Sequence, residues 1–376
     1  MVYNGILNTG DTTVYDSTLL PAHDYTYHAA LVKNGDFLVE SQPLKITTMD
    51  TTSHDFQWEI IEIPSPYGSG VLRDAAIINE NDIWAVGEIY ADSVQPWLPY
   101  NAIHWDGQQW ELKRINFYLC PNGTSPTPYP IQAIFAFSED DIWFTRGASF
   151  VHWDGNHYVH DCSMNSLIDG SIQKIWGTSS QDLYAVGYNG TIIHYDGSLS
   201  ADWAGSWEKI ESGTELPIMD IFGAIKNENG QYEIICVAED YGNPGGSKVL
   251  SIEDNNVSEL PTNGLLSYGL WGIRFVPQRQ YIAVGDGLWE THSLDGNWVR
   301  NASLPASFKT SIDGKDLNDV VVAGAFWLLA HYNGMNWQTY FPATSGSFTS
   351  VAMKDDMVIA VGGTGSKPIV AMGRRL

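Results

Sequence analysis

Residues 175–210 read IWGTSSQDLYAVGYNGTIIHYDGSLSADWAGSWEKI, and the fold turns on how they are parsed. Extended back to Ile172, IQKIWGT is an apolar run bounded by turn residues, which suits a strand buried on both faces. Ser179 to Asp182 then turns the chain, because Ser and Asp side chains bond to nearby backbone. LYAVG is a second strand, ended by Gly187. TIIHYDG is a third, and Asp196-Gly197 supplies the positive-φ residues that hairpins prefer. Trp207 opens a fourth, WEKI.

Degraded copies of this unit fill almost everything after Arg73. Four antiparallel strands repeated in series predict β-propeller blades. The first copy is VLRDAAIINENDIWAVGEIY, an insertion, then NAIHWDGQQWELKRI. The second is IQAIFAFSEDDIWFTRGASFVHWDGNHYVHDC, and the unit above is the third. The fourth copy, starting at IMDIFGAI, has lost its Trp but keeps its strand count. The fifth and sixth start at YGLWGIRF and FKTSIDGK. The last, from SFTSVAMK, stops after three strands, while QWEIIEI at 57–63 is a fourth strand with no blade before it. Pairing these ends would close the ring and remove a free sheet edge. Trp58 then matches Trp110, Trp207, Trp298 and Trp337. The expectation is all-β: a seven-bladed propeller over 57–376, with six blades as the alternative if the fourth copy is misread.

At 376 residues, 44% apolar and 12% aromatic, the chain can bury a large core. Lys plus Arg number 19 against 44 Asp plus Glu, a formal net charge of −25. Such a surface repels nucleic acid and anionic membranes and could attract cations or a basic partner, although solubility alone accounts for it. No apolar run is long enough to span a bilayer, and MVYNGILNTGDTT has neither the basic start nor the apolar core of a secretory signal. Cys120 and Cys162 follow fourth strands of neighbouring blades, a spacing that admits one bridge. Cys236, in IICVA, reads as a small buried hydrophobe.

Several motifs look chemical and have simpler explanations. His-x-Asp-Gly recurs at His104/Asp106, His152/Asp154 and His194/Asp196, with His331/Asn333 as a variant. Imidazole is a common metal ligand, but these histidines hold one place in different blades and cannot converge on an ion. They read as blade packing, as do Trp84, Trp143 and Tyr184. Gly362 to Lys367 lacks phosphate-loop spacing and joins two strands. No cofactor is implied; the acidic charge leaves calcium as the one ion to test, although NEND, SEDD and SSQD vary too much for a defined calcium loop. The Asp-Gly-x-x-Trp turns faintly resemble the Asp box of sialidases, but their spacing departs from it, and the chain has only eight arginines to grip a carboxylate.

Insertions are more telling. In a propeller the loops from second to third strand and from one blade to the next emerge on one face. EIYADSVQPWLPY, FYLCPNGTSPTPYP and EDYGNPGGSK all fall there, and insertions confined to one face of a repeat array often mark the binding face. They carry aromatics the repeat does not explain, and Tyr and Trp anchor sugars and proteins well. The candidate ligand-binding residues are Tyr90, Trp97, Tyr100, Tyr118, Tyr129, Asp240, Tyr241 and, at the start of a first strand, Arg73. Asp74, Lys174, Asp220 and Lys309 are expected near the channel mouth for the same reason.

Residues 1–50 differ, and 51–56 read as a linker. Leu20-Pro21-x-x-x-Tyr25-x-Tyr27 resembles the tyrosine corner of a fibronectin type III domain, of which 1–50 would be a partial, C-terminal piece. The phrase Ser-x-x-Asp-Leu-Tyr-Ala-Val-Gly at 179–187, with Asn79 replacing Ser at 79–87, resembles secreted or surface-attached bacterial propellers. The resemblance implies an extracellular or cell-surface location within a larger multidomain protein. It implies no activity, because function lives in sites and not in folds. The preferred function is a non-catalytic binding module, with a glycan or protein ligand on the inserted face. Alternatives are a glycoside hydrolase or lyase using carboxylates such as Asp74, Asp220, Glu88, Asp92, Glu239 or Asp240, or a structural spacer. No spacing pairs two of these carboxylates across a sugar bond.

Overall fold

The computed structural model describes residues 16, 19–33, 36–119, 123, 125–197, 207–265, 267–341 and 345–376. Seven four-stranded antiparallel sheets follow one another, each in simple meander order. Blade 1 comprises Val71–Asn79, Asp82–Ile89, Tyr100–Trp105 and Trp110–Lys113. Blade 7 combines Ser347–Lys354, Met357–Gly363 and Pro368–Arg375 with Phe56–Glu62, whose Ile61 lies opposite Val370. First strands of successive blades adjoin one another, including blade 7 against blade 1, so the ring is continuous. Between the blades lie separate apolar clusters instead of one central core.

The repeat phrase has a mechanical reading. Asp82 opens the second strand of blade 1 and accepts a hydrogen bond from His104 on the third strand at 2.8 Å. The pairs Asp141–His152, Asp182–His194 and Asp319–His331 repeat it at 2.7, 2.7 and 2.8 Å. Three of these imidazoles stack on a strand-two aromatic, with centroids 4.3, 4.3 and 4.2 Å from Trp84, Trp143 and Tyr184. The Asp of Asp-Gly does a separate job: Asp106 Oδ1 accepts from the backbone N–H of Gln108 and Gln109, both at 2.8 Å, fixing the hairpin. The fourth-strand Trp packs backwards, Trp207 of blade 3 lying 5.1 Å from Phe150 of blade 2. Each such buried ring is worth roughly 2–3 kcal/mol.

The Gly of Ala-Val-Gly answers to backbone packing. A Cβ on Gly87 or Gly187 would come within 2.1 Å of the carbonyl oxygen of Val71 or Ser171. The approach is close because the first strand bulges opposite that glycine, at Leu72/Asp74 in blade 1 and Ile172/Lys174 in blade 3.

Ahead of the ring, Asp24–Tyr27 pairs with Leu44–Thr47 and Ala30–Lys33 with Asp36–Glu40, giving two two-stranded sheets. Residues 51–56 run along blade 6, where Thr52 Oγ1 donates to Asn318 O at 2.6 Å. Cys162 is disulfide-bonded, Cys236 is a buried free thiol, and Cys120 lies outside the described residues.

Candidate functional site

Six of the seven first strands bulge at one level, and the extra residues are Arg73, Gln173, Met219, Trp271, Thr310 and Thr349. All six line a central channel of about 720 Å³. A bulge re-aims the inserted side chain, here toward the axis. The next residue along each strand forms a second ring: Asp74, Lys174, Asp220, Gly272, Ser311 and Ser350, with Ala133 at the same register in blade 2.

This second ring is wired. Asp74 Oδ1 accepts from Lys174 Nζ and from Ser350 Oγ, both at 2.8 Å, while Oδ2 accepts from Ile134 N–H at 3.2 Å. Asp220 Oδ2 accepts from Ile273 N–H at 2.9 Å, and Asp313 Oδ2 from Met353 N–H at 2.8 Å. In each case a carboxylate of one blade satisfies an edge N–H of the next, a group that no strand pairs. Burial would lower the Lys174 pKa, but Asp74, Asp220 and Asp313 outweigh it and raise it. Burial pushes Asp220 up to about 7, against the pull of Lys174 and two backbone N–H groups.

Arg73, Asp74, Lys174 and Asp220 thus line the channel. Lys309 does not: it takes a core position, 2% exposed, with Nζ donating to the carbonyls of Pro305 and Ser307 at 2.7 Å each. Burial lowers its pKa to about 8.

The inserted face surrounds one mouth of the channel. Arg73 pairs with Glu88 at 2.5 Å, and Tyr90 Oη donates to the same carboxylate at 2.9 Å. Tyr100 lies under the Arg114 guanidinium and Tyr129 under that of Arg146, at 4.2 and 4.6 Å from the ring centroids. Tyr118 meets His160 edge-on at 4.7 Å. Asp240 accepts from Asn243 Nδ2 at 2.9 Å. Trp97 and Tyr241 project outward, 72% and 82% exposed. The structure adds exposed aromatics that the insertions do not flag: Tyr67, Tyr188, Tyr268 and Phe326, all in second-to-third-strand or blade-to-blade connections. Tyr188 follows a repeat glycine and Phe326 sits in a short turn, so neither interrupts the repeat in a way that shows in sequence.

Phe326 and Trp327 are strained. Both occupy the left-handed region, at φ 59° and 58°, in the turn where blade 3 has Asn189-Gly190. Trp327 is held against Phe348 at 4.9 Å, whereas Phe326 faces out. Among the described residues, no three His, Cys, Asp or Glu side chains gather as a metal site.

No known protein family and no curated protein matches the chain. Solved structures do. A structure of YCF48 bound to a D1 peptide is 17% identical over 87% of this chain and 100% of its own, with a TM-score of 0.61. The WD40 propeller domain of Doa1 is 12% identical over 85% of this chain and 98% of its own, at 0.60. A catalytically inactive virginiamycin B lyase from Staphylococcus aureus with quinupristin is 10% identical over 85% of this chain and 100% of its own, at 0.57. At such identities the likeness speaks for the fold alone: the chain is a seven-bladed β-propeller.

Proposed function

We propose that the protein is a non-catalytic binding module that holds a polypeptide across the channel mouth on the inserted face. The carrying observation is the rim itself, where Tyr67, Tyr188, Tyr268 and Phe326 stand exposed around the opening and Trp97 and Tyr241 extend it. Tyr and Trp supply large contact area with few rotors, and a strained exposed side chain such as Phe326 is a recurring mark of a ligand contact. The peptide seen on YCF48 favours polypeptide over glycan as the first ligand class to test. The test is to screen the full chain against peptide and glycan arrays side by side, with Tyr268→Ala and Phe326→Ala, and with Ile225→Ala on the opposite face. Peptide binding lost only in the rim variants supports the reading. Binding to glycans alone, or peptide binding that survives both rim variants, overturns it.

A hydrolase or lyase remains the second reading, because Asp220 can hold or release a proton near neutral pH inside the channel. Its edge-capping bond to Ile273 N–H, shared in kind with Asp74 and Asp313, argues for a structural role instead. We read the location as extracytoplasmic, since the Cys162 disulfide needs an oxidising compartment. We read residues 1–50 as part of a fibronectin type III-like domain. In support, Leu20 N–H donates to Tyr25 Oη at 2.7 Å, a bond of the tyrosine-corner kind.

A further inference from the structure

We propose that the rim of blades 4 to 6 holds one basic side chain, lysine or arginine, of the bound polypeptide, on the Glu239 carboxylate and beside the rings of Trp271 and Phe308. The proposal rests on the polypeptide reading above and names the chemistry of one subsite within it.

The repeat supplies its own template. Glu88 and Glu239 hold the same rim place: each follows the glycine or alanine that ends the repeat phrase, Glu88 lying opposite Val71 and Glu239 N–H donating to Pro217 O at 3.0 Å. In blade 1 the bulge residue of the first strand is Arg73, and its guanidinium reaches Glu88 at 2.5 Å. In blade 4 the bulge residue is Met219, which carries no charge. Among the described residues no lysine, arginine or histidine pairs with Glu239. The carboxylate is repeated while its cation is missing.

Glu239 is nonetheless held in position. Trp271 Nε1–H donates to its Oε2, and burial raises its pKa against that bond. Trp271 lines the channel, and Phe308 meets it edge-to-face at 5.3 Å. Gly269 lies against Glu239 and Phe308, where a Cβ would stand 3.3 Å from Glu239 Oε2 and 3.8 Å from the Phe308 ring. A carboxylate held in place by the Trp271 N–H attracts a cation by charge, and the neighbouring rings give its aliphatic stem an apolar surface. The nearby basic groups are committed elsewhere. Lys309 Nζ is spent on Pro305 and Ser307 carbonyls, and Arg300 donates to Asp286 O at 3.2 Å. The net charge of −25 steers a basic partner toward this surface and an acidic one away.

Two variants separate charge from architecture. Glu239→Gln removes the charge and keeps an acceptor for the Trp271 indole. Met219→Arg installs at blade 4 the cation that blade 1 already has, so the protein fills its own subsite. Glu228→Gln, in the exposed 227–231 turn of the opposite face, controls for net charge. The probes are random peptides of about 12 residues, each with one central lysine or arginine and each beside a copy carrying citrulline there. Binding to the full chain is read by fluorescence anisotropy. The expected result is a preference for the basic copy of about tenfold or more, lost in Glu239→Gln and Met219→Arg and kept in Glu228→Gln. Peptides that bind with no such preference, or a preference that survives both rim variants, overturn the subsite and leave the polypeptide reading standing. Absence of binding to any peptide overturns both.

Discussion

Lys174 Nζ donates to Asp74 Oδ1 at 2.8 Å, tying the first strand of blade 3 to that of blade 1 past blade 2. The reach is open because blade 2 has Ala133 at that register. Asp74, with a side chain 4% exposed, also satisfies Ser350 Oγ and Ile134 N–H, so one carboxylate links four blades.

Lys174→Met leaves that carboxylate buried without its cation and is expected to cost about 3 kcal/mol. The double variant Asp74→Asn/Lys174→Met should recover part of the loss, since a neutral pair needs no counter-ion. Urea midpoints measure both. Equal destabilisation of the single and double variants would defeat this account.

Asp220 gives the channel a pH dependence of definite sign. Its folded pKa of about 7 stands above the unfolded value of 3.8, so between those limits the native state holds more protons than the unfolded chain. Stability therefore falls as pH rises through that window, by up to about 1.4 kcal/mol per unit for this group. Asp220→Asn keeps an acceptor for Ile273 N–H and should flatten the slope in unfolding curves taken from about pH 4 to 7.

Ring closure is acid-sensitive in the opposite sense. Arg375 reaches Asp319 at 2.6 Å, His331 Nε2 bonds the same carboxylate at 2.8 Å, and His331 Nδ1 meets His54 Nδ1 at 2.8 Å. Two protonated rings cannot share that last bond. Burial lowers the His331 pKa, with His54 and Arg375 adding to it, so the unfolded chain takes up the proton first and stability drops as pH falls below about 6.5. Hydrogen-exchange protection factors, corrected for the intrinsic pH dependence of amide exchange, should fall in Pro368–Arg375 and Phe56–Glu62 on acidification. Arg375→Gln should lower them at neutral pH, at a cost of about 3 kcal/mol.

Phe326→Asn should stabilise the protein by about 0.5–1 kcal/mol, because Asn tolerates the left-handed conformation that Phe326 is forced into. If the residue is retained for ligand contact, the same variant binds more weakly while its thermal midpoint rises. A fall in the midpoint would show that the ring has packing value the turn geometry hides.

The repeat is legible because its signals are local. Asp182 pairing with His194, Asp106 closing its hairpin and Gly187 accepting a close carbonyl all act within one blade, so each leaves a residue at a regular place. The repeated histidines are legible for the same reason: each bonds the aspartate of its own blade. Much of the rim is not legible. Tyr67, Tyr188, Tyr268 and Phe326 sit in short connections of ordinary length, and no insertion points to them. Lys309 is expected at the channel because it opens a first strand, yet it stands at the Leu72 register, which faces the core.

Sequence by itself determined the architecture: short apolar runs bounded by turn residues, four to a unit, and degraded copies of that unit in series admit few folds other than a propeller. Tertiary structure alone decided the channel. The start of a first strand points to Arg73, which does line the channel, but a bulge only adds one residue to a strand, so nothing in the sequence marks Met219 or Trp271 as residues turned inward. Which carboxylate meets which cation depends on blades brought together around the axis, as with Lys174 and Asp74, 100 residues apart in the chain. Such pairing follows from closure of the ring, and no local pattern encodes it.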